Sequence, residues 1–205
     1  MFELPFNHTV TIIIITVIIS FLAFSNQNLM NRLIFWPPAM QKGQYDRFIT
    51  HGFVHADGMH LLFNMFTLFF FGSIIETFYR QYLFDLGFVL FYLGGLIAAI
   101  IPSYLQHKND HRWASLGASG AVSAVLFAYI LFEPWKLIFV FFIPVPAIIF
   151  AVLYVVYSIW SCKKGNSNIN HSAHLWGAAY GVIITIIIEP RLIPHFLNKV
   201  SNLPF

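Results

Sequence analysis

A single serine hydroxyl, that of Ser119, stands among very small residues in the segment Gly117-Ala118-Ser119-Gly120. A serine becomes a nucleophile when a neighbouring base accepts its proton. Other polar residues occupy similar places in the chain: His60 and Asn64 open an earlier apolar run, and His174 opens a later one. We interpret these three clusters as parts of one site in which His174 is the available base.

The composition indicates the kind of protein that must bring these clusters together. The 205 residues are 59% hydrophobic, 19% aromatic and only 9% charged, and the mean hydropathy is +0.74. Soluble domains are far less apolar. The apolar runs, roughly 17 to 25 residues long, match helices that cross a hydrocarbon core of about 30 Å. The chain is therefore predicted to be an all-α polytopic membrane protein.

Six apolar runs predict six transmembrane helices in a single membrane domain over residues 1–205, without a soluble domain. The predicted spans are residues 6–24, 58–79, 84–105, 117–132, 137–160 and 171–188. The first run has no basic region before it and no small-residue cleavage site after it, which predicts a retained span rather than a signal peptide. The connection 25–57 is too interrupted to cross and is predicted to lie partly in the interface.

The charged and sulfur-containing residues exclude several classes of protein. The net charge of +3 comes from basic residues scattered over short loops, which favours contact with lipid headgroups over nucleic acid. The single cysteine, Cys162, excludes an intramolecular disulfide. The sequence contains no metal-ligand spacing of the usual kind and no phosphate-binding glycine loop. Neither a metal nor a cofactor is therefore predicted.

The parity of the spans predicts that the polar clusters meet. With six spans, the second, fourth and sixth enter the membrane from the same face. His60 and Asn64 lie in the first turns of the second span, Ser119 in that of the fourth, and His174 in that of the sixth. Polar groups inside a bilayer are costly and usually face the bundle interior or a watery cavity. Four of them at one depth therefore predict a hydrated pocket.

Conventional serine triads include a carboxylate, and none is well placed here. Glu133 lies beyond Ser119, and Glu189 beyond His174, by roughly 20 Å along a helix. Both acids lie at the end of their spans that is opposite to Ser119 and His174. Asp57 is nearer the correct face, but nothing in the sequence aims it at His174. We therefore predict a Ser–His dyad.

The surrounding residues suit acyl transfer. Free backbone N–H groups at the start of the fourth helix can bind a developing oxyanion, and the side chains of His60 and Asn64 can add to them. Gly117 keeps the surroundings of the serine open. Gly177 and Gly181, spaced as GxxxG, allow the fourth and sixth helices to approach closely.

At these residues the chain resembles the rhomboid intramembrane serine proteases. Arg47, Glu76 and the run Thr50–His55 also resemble elements of that family. The resemblance extends over nearly the whole chain, in the right order and on the right spans. The segments that carry it are His60-Leu-Leu-Phe-Asn64, Gly117-Ala118-Ser119-Gly120 and Ala173-His174-Leu-Trp-Gly177-Ala-Ala-Tyr-Gly181.

The resemblance implies a membrane-embedded protease, without a cofactor, that cleaves single-span or other transmembrane proteins. It implies Ser119 as the nucleophile and His174 as the base. It further implies that His60 and Asn64 support the oxyanion and that His55 is a supporting histidine near the site.

Two departures from the family pattern stand out. The family often has Trp-Arg where this chain has Asp46-Arg47. It also often has an aromatic residue four positions after the serine, packed on the catalytic histidine, where this chain has Ser123. Neither departure removes a reacting group, but another neighbour must fix the orientation of His174.

Two other functions are open at this point. The first is a non-proteolytic rhomboid-like protein for membrane-protein binding or quality control; such proteins typically lack the serine or the histidine, and this chain has both. The second is a bis-histidine haem protein with His60 or His55 and His174 as axial ligands. Taken alone, the segment Gly117–Gly120 is more typical of a helix-packing seam. The coincidence of three clusters at one depth favours the protease.

The orientation in the membrane has two conflicting indications. The positive-inside rule predicts that the face with more basic residues, which is the face of the site, lies in the cytoplasm. The family resemblance implies the reverse, and we follow it, predicting a bacterial inner-membrane protein with a cytoplasmic amino terminus. The oligomeric state stays open. The basic residues in loops on the site face are Arg32, Lys42, Arg47, Lys108, Arg112, Lys163 and Lys164. Those in loops on the opposite face are Arg80, Lys136, Arg191 and Lys199.

Overall fold

The computed structural model describes residues 7–140, 142–165 and 169–202. Most of these residues are helical, and a 3-10 turn occupies His51–Phe53. The helices are α1 (His8–Phe24), α2 (Gln27–Leu33), α3 (Pro37–Met40), α4 (Arg47–Thr50), α5 (Gly58–Tyr82), α6 (Gly87–His107), α7 (Ser119–Phe132), α8 (Ala147–Lys164), α9 (His171–Ile188) and α10 (Leu192–Ser201). The strands are β1 (Leu137–Val140) and β2 (Ile143–Pro146).

Six of these helices account for the apolar runs of the sequence. Helices α5, α6, α8 and α9 are long and apolar enough to cross a membrane, and α1 and α7 are shorter apolar helices. Their large outward-facing side chains are apolar, as expected for contact with lipid. The prediction of an all-α polytopic membrane fold is confirmed, with one small hairpin as an addition.

The hairpin corrects the predicted start of the fifth span. Residues 137–140 and 143–146 form two antiparallel strands, in which Leu137 lies opposite Pro146 and Val140 opposite Ile143. Helix α8 therefore begins at Ala147 and not at residue 137. Pro144 and Pro146 lack a backbone N–H and disfavour helical geometry in the residues before them. The β-branched and aromatic residues between them and the preceding turn favour extended backbone.

Helix α7 is the centre of the bundle, and residues 120–131 are all buried. Its closest neighbour is α9. A Cβ built on Gly177 would collide with the carbonyl oxygen of Gly120, and one built on Gly181 would collide with that of Ala124. Small residues in this pattern let two backbones touch inside a membrane. Ser119 and His174 therefore lie near the same end of two helices in direct backbone contact.

Arg47, which is only 5% exposed, holds together the connection between α1 and α5. Its guanidinium donates hydrogen bonds to the carbonyl oxygens of Asn31 (2.9 Å) and Ile34 and to Oε1 of Gln44 (2.8 Å). A charge-assisted donor with three acceptors stabilises this irregular backbone. The connection lies beside the segment that leads into α7, since Phe35 N donates to the carbonyl of Ser115 (2.8 Å).

The start of α1 is attached to α5 by the buried carboxylate of Glu76. Its Oε1 accepts from the backbone N–H of His8 (2.9 Å). Its Oε2 accepts from the N–H (2.9 Å) and the hydroxyl (2.7 Å) of Thr9. Arg80 pairs with the same carboxylate at 2.9 Å. A negative group that satisfies free N–H donors at a helix start stabilises that helix.

Candidate active site

The hydroxyl of Ser119 and the imidazole of His174 form a direct hydrogen bond. Ser119 is the first residue of α7, and His174 lies in the first turn of α9. The distance from Ser119 Oγ to His174 Nε2 is 2.8 Å. The Ser119 hydroxyl donates this bond when the imidazole proton is on Nδ1. This is the contact that activation of a serine by a histidine base requires.

The predicted residues of the second span join the same cavity. Its volume is about 1230 Å³, and its walls include His60, Asn64, Gly117, Ser119 and His174. Asn64 donates through Nδ2 to the carbonyl of His60 at 2.8 Å. The structure thus brings together the three polar clusters that the span parity predicts to meet.

The backbone before the serine adopts a conformation that glycine allows. Gly117 has a φ of +110°, a region that other residues rarely adopt. Its N–H donates to the carbonyl of His51 at 2.9 Å. A Cβ on Gly117 would lie 2.6 Å from Cε1 of His60. The glycine therefore lets the chain turn into α7 and leaves room for the neighbouring imidazole.

His55 supports the backbone next to Ser119. Its Nε2 accepts from the N–H of Ala118 at 3.3 Å, and its Nδ1 lies 3.0 Å from Oγ of Ser20 on α1. The Ser20 hydroxyl donates to the carbonyl of Phe53 at 3.0 Å, so Nδ1 of His55 carries the proton that the Ser20 oxygen accepts. Burial lowers the pKa of His55 to about 3, which keeps the ring neutral. A chain of hydrogen bonds thus links α1 to the residue before Ser119.

The three carboxylates considered as partners of His174 bind other groups. Asp57 caps α5 by accepting the N–H of His60 at 2.8 Å. Glu133 and Glu189 are the C-cap residues of α7 and α9, at the ends opposite the hydrogen-bonded pair. Glu133 pairs with Lys199 at 2.7 Å. Within residues 7–140, 142–165 and 169–202, no ion pair involves the histidine of the pair.

The second acid at the far end is similarly engaged. Glu189 Oε1 accepts from Nε of Arg191 at 2.7 Å. This hydrogen bond lowers the pKa of Glu189 to about 2. The carboxylate is therefore ionised and held by its guanidinium partner outside the membrane-spanning part of α9.

The start of α9 is held by a residue that sequence reasoning missed. The side chain of Asn170 accepts from the N–H of Ala173 at 3.0 Å, which caps the helix. Its Nδ2 donates to the hydroxyls of Ser103 on α6 (3.1 Å) and Ser115 (3.3 Å). Asn170 thereby ties α9 to α6 and to the segment before α7. An asparagine directly before the sixth span is the sequence signal that could have revealed this cap.

Tyr154 of α8 is the second residue that sequence reasoning missed. Its ring stacks on the imidazole of His174, with centroids 5.9 Å apart and planes inclined by 23°. Its hydroxyl lies 2.6 Å from Oγ of Ser123. The sequence predicts that some neighbour must orient the histidine, but it gives no signal that distinguishes Tyr154 from Tyr157 on the same helix.

The histidine contacts do not favour the bis-histidine haem interpretation. Axial haem ligation uses a ring nitrogen with a free lone pair. The Nε2 of His174 is bonded to Ser119, and both ring nitrogens of His55 have hydrogen-bond partners. In the part of the chain that the structure describes, no group of three or more His, Cys, Asp or Glu side chains could hold a metal ion.

Comparison with known proteins agrees with this architecture. Residues 42–191 match the family model described as the Rhomboid domain. "RHOMBOID-like protein 12, mitochondrial" of Arabidopsis thaliana is 33% identical over 177 residues, which are 78% of this chain and 51% of that protein. "Putative rhomboid protease YdcA" of Bacillus subtilis (strain 168) is 31% identical over 155 residues, which are 71% of this chain and 68% of that protein. The chain thus spans about half the length of the plant relative. It is an integral membrane protein that belongs to the rhomboid family.

Proposed function

We propose that this protein is an intramembrane serine protease that hydrolyses peptide bonds in or near transmembrane segments of membrane-protein substrates. The observation that carries the proposal is the 2.8 Å hydrogen bond from Ser119 Oγ to Nε2 of His174. The name of one matched relative, "Putative rhomboid protease YdcA", agrees with this activity. The pair lines a cavity of about 1230 Å³.

In the proposed reaction, the Ser119 oxygen attacks the carbonyl carbon of the scissile peptide bond while Nε2 of His174 accepts the hydroxyl proton. The tetrahedral intermediate collapses as the histidine returns this proton to the leaving nitrogen. The first product leaves with a new amine, and an acyl-serine ester remains. A water molecule then attacks the ester and passes one proton to His174. That proton returns to Ser119 Oγ when the carboxylate product departs.

The oxyanion of the intermediate is bound at the start of α7. The first backbone N–H groups of a helix have no partner within the helix, and the helix dipole favours negative charge there. The side chains of His60 and Asn64 line the same cavity and supply further donors. Donors that are already in place when the charge develops lower the barrier.

We propose transmembrane proteins, including single-span proteins, as substrates, because the cavity opens among helices whose outer faces are apolar. The bacterial inner membrane and the cytoplasmic amino terminus are further parts of this proposal. The cytoplasmic amino terminus follows the family resemblance. The Bacillus subtilis origin of one relative agrees with a bacterial membrane, whereas the other relative carries a mitochondrial name. Protease protection of terminal tags in sealed vesicles tests the orientation.

The decisive test is labelling of the purified protein by a fluorophosphonate probe, together with cleavage of a single-span substrate. We expect labelling at Ser119 in the wild type and its loss in the Ser119→Ala and His174→Ala proteins. Ser201→Ala, an exposed serine on α10, and His195→Ala, a histidine far from the pair, are the matched controls and should label like the wild type. Labelling of His174→Ala at the wild-type rate would refute the dyad. Absence of both labelling and cleavage in the folded wild type would favour a non-proteolytic binding protein.

A further inference from the structure

Tyr154 contacts His174 directly and is linked to Ser119 through the hydroxyl of Ser123. Its ring lies nearly parallel to the imidazole, with centroids 5.9 Å apart. Ser123 Oγ donates its single hydrogen to the carbonyl of Ser119 at 2.7 Å, so the hydroxyl of Tyr154, 2.6 Å away, donates to Ser123. The tyrosine is thus bound to the histidine through its ring and to the serine backbone through Ser123.

The other aromatic neighbour of the histidine makes a different contact. The ring of His171 meets that of His174 edge to face at 5.7 Å, with planes inclined by 80°. The contact with Tyr154, by contrast, is nearly parallel, with planes inclined by 23°. The face of the imidazole is therefore covered by Tyr154.

Ser123 and Tyr154 together make this arrangement possible. Ser123 is buried on α7, four residues after the nucleophile, and Tyr154 reaches it from α8. A small side chain at 123 leaves space for the tyrosine ring between α7 and the histidine. The aromatic residue that rhomboids often have at the Ser123 position would compete for this space.

We propose that Tyr154 is the positioning residue of the site: it holds the His174 imidazole in line with Ser119 Oγ and replaces, from α8, the aromatic residue usually found on α7. The inference rests on the proposed function, because positioning has consequences only if the pair reacts. It also makes the alignment of the base depend on α8, a helix that carries neither reacting group.

The activity test compares Tyr154→Leu, Tyr154→Phe and the double change Ser123→Phe with Tyr154→Leu. Loss of the ring should lower the turnover number about 10- to 100-fold with little change in KM, because a small misplacement of a reacting group has effects of this size. Tyr154→Phe keeps the ring and should stay within a few-fold of the wild type. The double variant returns an aromatic ring to α7 and should recover at least tenfold over Tyr154→Leu. Leu153→Ala, next to Tyr154 on the same helix and 60% exposed, is the matched control.

A second measurement is independent of proteolysis. In protein with ¹³C-labelled histidine rings, the His174 signal is identified by its absence in His174→Ala. A stacked ring shifts this signal upfield, so we expect the shift in the wild type and in Tyr154→Phe and its loss in Tyr154→Leu. An unchanged signal in Tyr154→Leu, or turnover within twofold of the wild type, overturns the inference. If the wild type shows the shift but no fluorophosphonate labelling, the proposed function fails while the stacking stands.

A folding defect in a variant is distinguished from a loss of positioning by measuring its stability. Thermal melting is measured for each variant in the same detergent. If Tyr154→Leu does not fold, the double variant and the single change Ser123→Phe decide. The inference expects the new ring to displace Tyr154 in a folded Ser123→Phe protein, so that the His174 signal moves away from its wild-type position. Persistence of the wild-type signal and rate in that protein overturns the inference.

Discussion

The imidazole of His60 lies directly against Gly117, so that a Cβ on Gly117 would be 2.6 Å from Cε1 and 2.9 Å from Nε2 of the ring. The same glycine has a φ of +110°. The second and fourth spans therefore meet at Gly117, the first residue of the segment that contains Ser119. One backbone position determines both the turn into α7 and the place of a candidate oxyanion donor.

Gly117→Ala is expected to destabilise the protein and to lower its activity. A positive φ in a residue with a side chain costs about 1–3 kcal/mol, and the collision with His60 adds to this. Gly43→Ala is the matched control, because Gly43 has a φ of +79° but nothing within 4 Å of its Cβ position. Thermal melting and fluorophosphonate labelling measure both effects. Equal melting temperatures for the two variants would contradict the role of the collision.

Neutralising the acids at the far end of the bundle is expected to leave turnover largely intact. Glu133 and Glu189 are C-cap residues that pair with Lys199 and Arg191, so neither can orient the base. The Glu133→Gln and Glu189→Gln proteins are assayed on the single-span substrate, with melting as the check on folding. A thousand-fold loss of turnover in either folded protein would show that the site needs a carboxylate.

Truncating the candidate oxyanion donors should lower turnover less than Ser119→Ala does. Losing one such donor typically costs about 10²–10³ in rate, and backbone N–H groups at the start of α7 remain in the His60→Ala and Asn64→Ala proteins. The KM should change little, because the oxyanion exists only along the reaction path. Steady-state kinetics of detergent-solubilised variants separate the two parameters. A raised KM with an unchanged turnover number would instead make α5 a substrate-docking element.

Acidification is expected to destabilise the fold through His55. Burial lowers the pKa of this ring to about 3, whereas an exposed histidine in the unfolded chain titrates near about 6.5. Between these two values the unfolded state binds one more proton, so the free energy of unfolding falls as the pH falls, by up to about 1.4 kcal/mol per pH unit. Melting is followed from pH 7 to pH 4. A His55→Gln protein should show a shallower pH dependence; an identical slope would exclude this origin.

Removing the carboxylate of Glu76 should release the start of α1. Glu76→Ala leaves the N–H groups of His8 and Thr9 without their acceptor, and each buried unsatisfied group costs about 1–3 kcal/mol. Asp110→Asn, in the loop after α6, is the matched control, because Asp110 is 43% exposed and an exposed ion pair contributes at most about 1 kcal/mol. Thermal melting compares the two. A loss of the same size in both proteins would contradict the proposed anchoring.

The sequence is sufficient to predict which helices begin on the same face of the membrane, because this follows from counting the spans. Ser119 and His174 open spans of the same parity, and in the structure their side chains are 2.8 Å apart. GxxxG spacing predicts the contact between Gly177 and α7 for the same kind of reason: only small residues allow it. Such features depend on residue size and order, which a single sequence contains.

Other features depend on the rotation of a helix or on competition between two local structures. Tyr154 and Tyr157 both lie on an apolar helix, and only the rotation of α8 brings the first of them to the imidazole. The run that ends at Pro146 is apolar enough to be part of a span, yet its prolines and β-branched residues make a hairpin instead. Apolarity alone does not distinguish a helix from a strand in a run this short.

Because α7 and α9 are in backbone contact inside the bundle, the buried residues and the outward-facing residues are under different constraints. Residues 120–131 of α7 are enclosed, whereas Phe69 of α5 and Leu153 of α8 are more than half exposed to the surroundings. Apolar substitutions on those outer faces are expected to leave the 2.8 Å distance between Ser119 Oγ and His174 Nε2 unchanged. Lineages living in membranes of different thickness or lipid content can therefore adapt the outside of the protein without altering this pair.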